Sequence, residues 1–303
     1  MDPARRPLMI SPRFGELDEV LKRVRAAEQA GVDQIWLEQQ PDQRDALVLA
    51  GAYLAAAPAV TVGTAVMPVY GRHPVAMAQA AATLAELSGG RFVLGLGYGH
   101  QYVNEHVLGC RPAPPITAMT EYVSIVRALV DHGVCEVEGR AFTARSQYGE
   151  PQPGVPVYLA ALQPQMIRLA TRIGDGIILW LCSPRFVRER VTPVVRAACA
   201  EAGRDPDGFP VLAIAPAYAG PDVAAQAAGW RRTAMSYRML PFYRKVLDAF
   251  GRPDPAQLAL IGTPDEIAER MAEYRAAGAV PVPSPMPGSA DDFATTVHAV
   301  YRD

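Results

Sequence analysis

The sequence predicts a parallel (β/α)8 barrel. Strand-like and helix-like segments alternate along almost the whole chain, which is the pattern of a parallel α/β fold. Eight strand–helix units can be counted in the 303 residues, and this length suits one barrel of about 250 residues with insertions. Several predicted strands end in small residues followed by polar side chains, where a barrel enzyme carries its catalytic groups. An open doubly wound sheet is the second possibility.

The predicted strands are short apolar runs bounded by glycine, proline or polar residues. They lie at residues 8–11, 34–38, 60–66, 92–97, 157–160, 176–181, 211–215 and 279–282. The last strand is expected to be short and irregular, because prolines at 281, 283, 285 and 287 remove backbone N–H groups.

Helical patterns follow these strands. The predicted helices cover residues 18–29, 45–57, 74–87, 117–131, 165–173, 185–202, 264–277 and 291–300. The helix over 264–277 has the clearest start, because Thr263 suits the N-cap, Pro264 the first turn and Glu266 the third helical position.

Two segments depart from the strand–helix alternation. Residues 134–142 are expected to form a hairpin with Gly139 at its turn, and residues 221–260 form a long excursion. We expect a single barrel domain over 1–303, in which 221–260 is a helical insertion or lid beside the barrel mouth. A solvated or subunit-facing helix surface is the alternative for that insertion.

Composition excludes several classes of protein. A formal net charge of −2 without a basic stripe gives no support for nucleic-acid binding. The four cysteines form no CxxC pair, so neither a zinc site nor a disulfide framework is expected, and no metal is predicted. No run of about 18 apolar residues occurs, so no membrane association is expected. We therefore expect a soluble, cytoplasmic protein.

The first two candidate loops follow strands two and three. Glu38, Gln39 and Gln40 form a polar triplet where an active-site loop would lie, although a solvated loop is equally compatible. The third strand ends in Gly63, Thr64, Ala65 and Val66. Small residues there would let a flat ligand approach the backbone, but tight packing of a barrel strand is the preferred interpretation of that segment alone.

The other two candidate loops follow strands four and five. Gly97, Tyr98, Gly99 and His100 end strand four, where alternate glycines leave room for a planar ring and His100 could donate to a ligand oxygen. The spacing is not a dinucleotide fingerprint. After strand five, a helix start suited to a phosphate comprises Ala160, Ala161, Leu162, Gln165 and Met166. An ordinary β/α turn is the alternative there.

The sequence lacks the usual motifs of enzymes that use their own nucleophile or a bound metal. It contains no P-loop, no GxSxG elbow, no HExxH and no CxxC. Without an evident nucleophile or metal, the chemistry is expected to come from an organic cofactor that the protein positions.

These segments together resemble the bacterial luciferase-like superfamily, and within it the coenzyme F420-dependent oxidoreductases. The matching stretches are AEQAGVDQIWLEQQP, VGTAVMPVYGRHPVAMAQAAATLAELSGGRFVLGLGYGH, VPVYLAALQPQMIRLATRIGDGIILW, LPFYRKVLDAFG and IGTPDEIAERMAEYRAAGA. They cover nearly the whole chain, and SGGRFVLGLG with RHP upstream is the specific part.

The resemblance implies a (β/α)8 barrel with an insertion and with coenzyme F420, or alternatively FMN, across its mouth. The ring would lie over residues 63–66, often around a non-prolyl cis peptide, while residues 97–100 would line the ring and the substrate. The cofactor contacts it implies, with Gln39 and Met166 added from the loops above, are Gln39, Gly63, Thr64, Ala65, Val66, Gly97, Gly99, Ala160, Ala161, Leu162, Gln165 and Met166. Arginines 231, 232, 238 and 244 of the insertion could meet an acidic cofactor tail.

The chain departs from the resembled pattern at two positions. Gln39 and Gln40 stand where many deazaflavin enzymes have Asp-His, and Gly99 stands where the nearest subgroup often has serine, which would open room for a larger substrate. The implied reaction is hydride transfer with a small metabolite, with reduction of a C=C or C=N bond expected. The catalytic candidates are, in order, His100, Glu38, Gln40 and Tyr98.

Two alternatives stay open at this point. One is an FMN-dependent monooxygenase that uses oxygen and a partner reductase, and another is a non-catalytic flavin-binding protein. Members of the resembled family are often dimers, so a homodimer is possible, although no interface can be assigned from the sequence.

Overall fold

Eight parallel strands form the barrel in the computed structural model, which describes residues 5–13, 15–237, 239–240, 243–244, 248 and 258–301. The strands are β1 Pro7–Met9, β2 Gln34–Leu37, β3 Thr61–Thr64, β4 Phe92–Gly97, β5 Val157–Ala160, β6 Gly176–Trp180, β7 Val211–Tyr218 and β8 Val280–Pro285. Each strand from β1 to β7 pairs in parallel with the next one along the chain. The predicted barrel class is confirmed.

The proline-containing strand β8 is longer and more regular than expected. All six of its residues are in register with β7, from Val280 opposite Leu212 to Pro285 opposite Ala217. The N–H of Met286 donates to the Ala217 carbonyl at 2.9 Å, so the even-numbered residues direct their N–H groups toward β7. Alternation then turns the odd-numbered prolines toward β1. The expectation of an irregular strand is wrong because these prolines cost no bonds to β7.

The same prolines explain how the barrel closes. Strand β8 lies beside β1, but among the described residues no hydrogen-bonded ladder joins the two strands. The three prolines that face β1 have no N–H to donate. The seam between the first and last strands therefore depends on side-chain packing.

Helices surround the barrel. They are Leu17–Gln29, Ala46–Ala56, Pro74–Ser88, Pro115–His132, Pro164–Ile173, Pro184–Phe186, Thr192–Glu201, Val223–Tyr237, Pro264–Ala276 and Ala290–Val300. The predicted helix 185–202 is interrupted by a π-helical turn at Val187–Val191, whereas the capping box expected at Thr263 and Glu266 is confirmed. None of the described helices is long and apolar enough to cross a bilayer.

The hairpin after the fourth helix is also present. Strand Val134–Glu138 pairs antiparallel with Thr143–Gln147, so the hairpin extends beyond the predicted residue 142. The carboxylate of Glu121 accepts N–H groups from Arg140, Ala141 and Phe142 at 2.6–2.9 Å. These bonds tie the turn to the barrel's outer helix.

Side chains fill the barrel interior. An inner cluster takes one or two residues from each strand except β3. Its members are Met9, Trp36, Val93, Tyr158, Ile178, Leu212, Ile214 and Val282. The rings of Trp36 and Tyr158 stack at 5.7 Å between centroids. Strand β3 contributes Gly63, where a Cβ would lie only 2.3 Å from the Trp36 ring. The indole therefore occupies the space that a β3 side chain would need.

Candidate active site

Alternation along the strands defines the residues at the barrel mouth. Trp36 belongs to the inner cluster and Leu37 to the outer core, so the next residue, Glu38, returns to the inner side at the carboxyl end of β2. The same step of two residues applies to every strand. The resulting set, which we call the mouth ring, is Ser11, Glu38, Ala65, Gly97, Ala160, Trp180, Pro216 and Ser284.

One side of the mouth ring is small and flat. Three consecutive strands, β3 to β5, contribute Ala65, Gly97 and Ala160, which we call the small-residue floor. A Cβ at Gly97 would lie 3.4 Å from the Ala160 Cβ and 2.5 Å from Val66 Cγ2, so any side chain there would fill this surface. The Ala65–Val66 peptide is cis. The floor can accept a planar group against its backbone.

Gly63 and Thr64 serve packing in this structure, which differs from the cofactor contact expected for them. Gly63 lies beneath the Trp36 indole, inside the barrel. The Thr64 side chain is buried, and its hydroxyl donates to the Gly95 carbonyl at 2.9 Å and accepts the Gly95 N–H at 2.8 Å. These bonds join β3 to β4 immediately below the floor.

A helix begins next to the floor. Strand β5 ends at Ala160, and helix Pro164–Ile173 starts four residues later with Gln163 as an N-cap whose side chain makes no capping bond. The first-turn N–H groups of Gln165 and Met166 have no intrahelical acceptor, and the helix dipole favours an anion there. Of the other predicted contacts, Ala161 is buried and Leu162 packs against the outer core. The sequence-predicted phosphate position thus adjoins the floor.

Glu38 faces the mouth next to the floor, because β2 pairs directly with β3, the strand of Ala65. Its Oε1 accepts hydrogen bonds from the Ser11 hydroxyl at 2.6 Å and from Gln43 Nε2 at 3.1 Å. Its Oε2 is closed off from solvent and receives no hydrogen bond from the described residues. One carboxylate oxygen is therefore fixed by the protein, and the other has no donor among the described residues.

The two glutamines after Glu38 differ in their surroundings. The Gln39 side chain donates to the Gln40 carbonyl and accepts the Ala46 N–H, both at 2.8 Å. Gln39 therefore anchors the start of helix Ala46–Ala56, and the cofactor contact expected for it stays a prediction. Gln40 is half-buried in the same loop.

His100 lies at the mouth beyond strand β4. Its ring centroid is 5.9 Å from that of Tyr243. Burial lowers the pKa of His100, so the imidazole is neutral at neutral pH and can act as a hydrogen-bond donor or acceptor.

Tyr98 and Gly99 have structural partners. The Tyr98 hydroxyl donates to the Ala113 carbonyl at 2.8 Å, its ring meets Tyr70 edge to face, and burial raises its pKa to about 12. Gly99 has φ +80, and a Cβ there would lie 3.0 Å from Asn104 Oδ1. The backbone requires glycine at this position, which contradicts the idea that a missing serine opens the substrate site.

The mouth also carries an aromatic wall that the sequence did not reveal. Trp180 ends β6 and packs against Trp230 and Tyr237 at centroid distances of 6.2 and 6.3 Å, and Tyr237 lies 5.1 Å from Tyr243. Trp230 and Tyr237 belong to helix Val223–Tyr237, which is part of the predicted insertion. We call Trp180, Trp230, Tyr237 and Tyr243 the aromatic wall. Once the strand register is known, Trp180 follows from Ile178 by a step of two residues along β6.

The insertion arginines that the structure describes are exposed. Arg231 and Arg232 are exposed on helix Val223–Tyr237, and Arg244 is exposed as well. Arg238 lies outside the described residues.

Together, these features define a parallel-barrel protein with a ligand site across the carboxyl ends of its strands. The sequence profile of the luciferase-like monooxygenases matches residues 2–280. The chain therefore belongs to the luciferase-like monooxygenase family.

Relatives within this family carry more specific names. The chain is 28% identical over 289 residues to the 5,10-methylenetetrahydromethanopterin reductase of Archaeoglobus fulgidus, covering 86% of each protein. It is 35% identical over 196 residues to the F420-dependent glucose-6-phosphate dehydrogenase of Beutenbergia cavernae, covering 60% of this chain and 57% of that one.

Solved structures support the fold. An F420-dependent secondary alcohol dehydrogenase in complex with an F420–acetone adduct superimposes with a TM-score of 0.84 at 20% identity, over 98% of this chain and 99% of that one. The monooxygenase RslO1 from Streptomyces bottropensis superimposes with a TM-score of 0.76 at 19% identity, over 97% of both chains. The same barrel fold thus occurs in an F420-dependent dehydrogenase and in a monooxygenase.

Proposed function

We propose that this chain is an oxidoreductase that uses coenzyme F420 to exchange a hydride with a small organic metabolite, in the direction of C=C or C=N reduction. The observation that carries the proposal is the small-residue floor beside the uncapped start of helix Pro164–Ile173. A planar ring and a phosphate are the two parts of a deazaflavin that such a surface suits. Relatives named for F420 dependence support the choice of cofactor.

The residues fit the cofactor in two places. Ala65, Gly97 and Ala160 would lie against its ring, because a Cβ at Gly97 would fill the surface that the ring needs. The N–H groups of Gln165 and Met166 would hold its phosphate. When bound, the deazaflavin supplies a hydride to the substrate.

The protein's own polar groups then determine which proton steps are available. Gln40 cannot serve as the base that a histidine there would provide, and the proton of Tyr98 is held by the Ala113 carbonyl. His100, which is neutral, and Glu38 remain as the groups that can hold or move a proton at the mouth. The absence of a histidine at position 40, after strand two, is the reason for proposing reduction over alcohol oxidation.

We also propose that residues 221–260 form a lid. Helix Val223–Tyr237 packs Trp230 onto Trp180 at the mouth, which supports this role. A lid there would exclude water while the hydride is transferred.

An anaerobic assay tests the proposed reaction. Purified protein is supplied with reduced F420 and a panel of imines and enones, or with oxidised F420 and a panel of alcohols, and F420 absorbance is followed. We expect oxidation of reduced F420 by imines or enones. Turnover of alcohols alone would contradict the direction, and oxygen-dependent turnover with reduced FMN alone would move the protein to the monooxygenase alternative.

A further inference from the structure

We propose that the substrate of this site is an organic cation, such as an iminium compound, held between Glu38 and the aromatic wall. The inference rests on the proposed function and specifies its substrate class. It starts from the polar groups of the mouth ring, in which Glu38 is the one ionisable residue.

The first observation is that one oxygen of the Glu38 carboxylate, Oε2, lacks a hydrogen-bond partner among the described residues. Oε1 is bonded to Ser11 and Gln43, whereas Oε2 is shielded from solvent without a partner among the described residues. Burial of a polar atom without a hydrogen bond is costly, and more so for a carboxylate. A cation or N–H donor that arrives with the substrate would remove this cost.

The neighbouring arginines are engaged elsewhere. Arg13 forms an ion pair with Asp42 at 3.0 Å, and Arg72 forms one with Asp45 at 2.6 Å. Arg44 donates to the carbonyl of Pro12 at 2.9 Å. Among the described residues, these three guanidinium groups follow β1, β2 and β3, and the contacts described for them do not involve Glu38.

The second observation is the aromatic wall, which starts at Trp180 on β6, across the barrel mouth from Glu38 on β2. Burial raises the pKa of Tyr237, a hydrogen bond with Trp180 and the charge of Arg13 lower it, and the negative charge of Glu38 raises it further. The Glu38 carboxylate and the Arg13 guanidinium are therefore both within electrostatic reach of Tyr237. The faces of Trp180, Tyr237 and Tyr243 offer negative potential to a cation. His100, at 5.9 Å from Tyr243, is neutral and does not oppose a cation.

The chemistry of an iminium group fits the proton donors of the site. A hydride from reduced F420 adds to the iminium carbon, and the π pair of the C=N bond becomes the lone pair of a neutral amine. The substrate gains two electrons and one hydrogen, while the reduced cofactor also releases one proton to solvent and becomes oxidised F420, so the substrate needs no proton donor. A site without a histidine at position 40 can therefore complete the reduction.

A matched pair of probes tests the inference by binding. N-methylquinolinium and methylnaphthalene have nearly the same shape and differ in charge. Their dissociation constants are measured by calorimetry with protein saturated with oxidised F420, for the wild type, Glu38→Gln and Trp180→Leu. Asp42→Asn is the control, because it removes the same charge from an exposed ion pair nearby.

We expect Glu38→Gln to weaken binding of the cation by about tenfold or more, and to change methylnaphthalene binding by less than about twofold. Trp180→Leu should weaken binding of the cation more than binding of the neutral probe. Asp42→Asn should leave the binding of both probes unchanged. A cation that fails to bind the wild type, or that binds Glu38→Gln and Trp180→Leu as tightly as the wild type, would overturn the inference.

The test separates the two proposals. Binding of F420 to the wild type is measured first, and its absence would count against the proposed function. The probe titrations are then repeated without cofactor, so that the dependence on Glu38 is decided whether or not F420 binds.

Discussion

Gly63 shows how one absent side chain shapes the barrel interior. A Cβ there would lie 2.3–2.8 Å from three atoms of the Trp36 ring, and the ring is fully enclosed, so it cannot move aside cheaply. We expect Gly63→Ala to lower the free energy of unfolding by about 1–3 kcal/mol, measured by urea denaturation.

Gly51 provides the control for that variant. It lies inside helix Ala46–Ala56, where a Cβ would meet Leu84 Cδ2 at an ordinary 3.5 Å. We expect Gly51→Ala to leave stability unchanged or raise it by about 0.5–1 kcal/mol, since alanine favours helix. Equal effects of the two substitutions would show that Trp36 packing does not determine the cost.

His100 links stability to pH. Its pKa in the folded protein is lowered by burial, so the unfolded chain binds the proton more readily. Stability is therefore full above the unfolded-state pKa of about 6.5 and falls as the pH drops below it. We expect His100→Gln to lose less stability than the wild type between about pH 7.5 and pH 5. An unchanged slope in His100→Gln would contradict the burial argument.

Among the elements, helix Val223–Tyr237 depends on its contact with the barrel mouth. Its described buried residues are Trp230 and Ala234, so Trp230 supplies most of the apolar contact. We expect Trp230→Ala to speed amide hydrogen exchange in this helix while the barrel strands keep their protection.

Met235 lies on the same helix and is exposed, so Met235→Ala should leave exchange as in the wild type. Protection of the helix that survives the loss of Trp230 would show that other contacts hold it on the mouth.

The sequence located most elements because their signals are local. Strand β5 and the hairpin at 134 follow from apolar runs and turn residues, and the cap at Thr263 follows from its neighbours in the chain. Strand β8 was misjudged because the effect of a proline depends on which neighbouring strand its N–H would face. That direction is set by the register with β7.

Less of the candidate site could be predicted, because most of it depends on the register between strands and not on local sequence. Ala65, Gly97 and Ala160 were found because glycine and alanine at strand ends are visible in the sequence. Gly63 and Trp180 required the assembled barrel, since only its register shows that Gly63 lies under Trp36 and that Trp180 faces the mouth.

For the whole molecule, the central claim is that the flat side of the barrel mouth binds a deazaflavin. The most direct measurement is a fluorescence titration of the purified protein with coenzyme F420 and, separately, with FMN. Ala160→Leu is titrated alongside, because a leucine would cover the small-residue floor. We expect the wild type to bind F420 at least about tenfold more tightly than FMN, and we expect Ala160→Leu to lose that binding while remaining folded. A preference for FMN, or F420 binding that is unaffected by Ala160→Leu, would contradict this account.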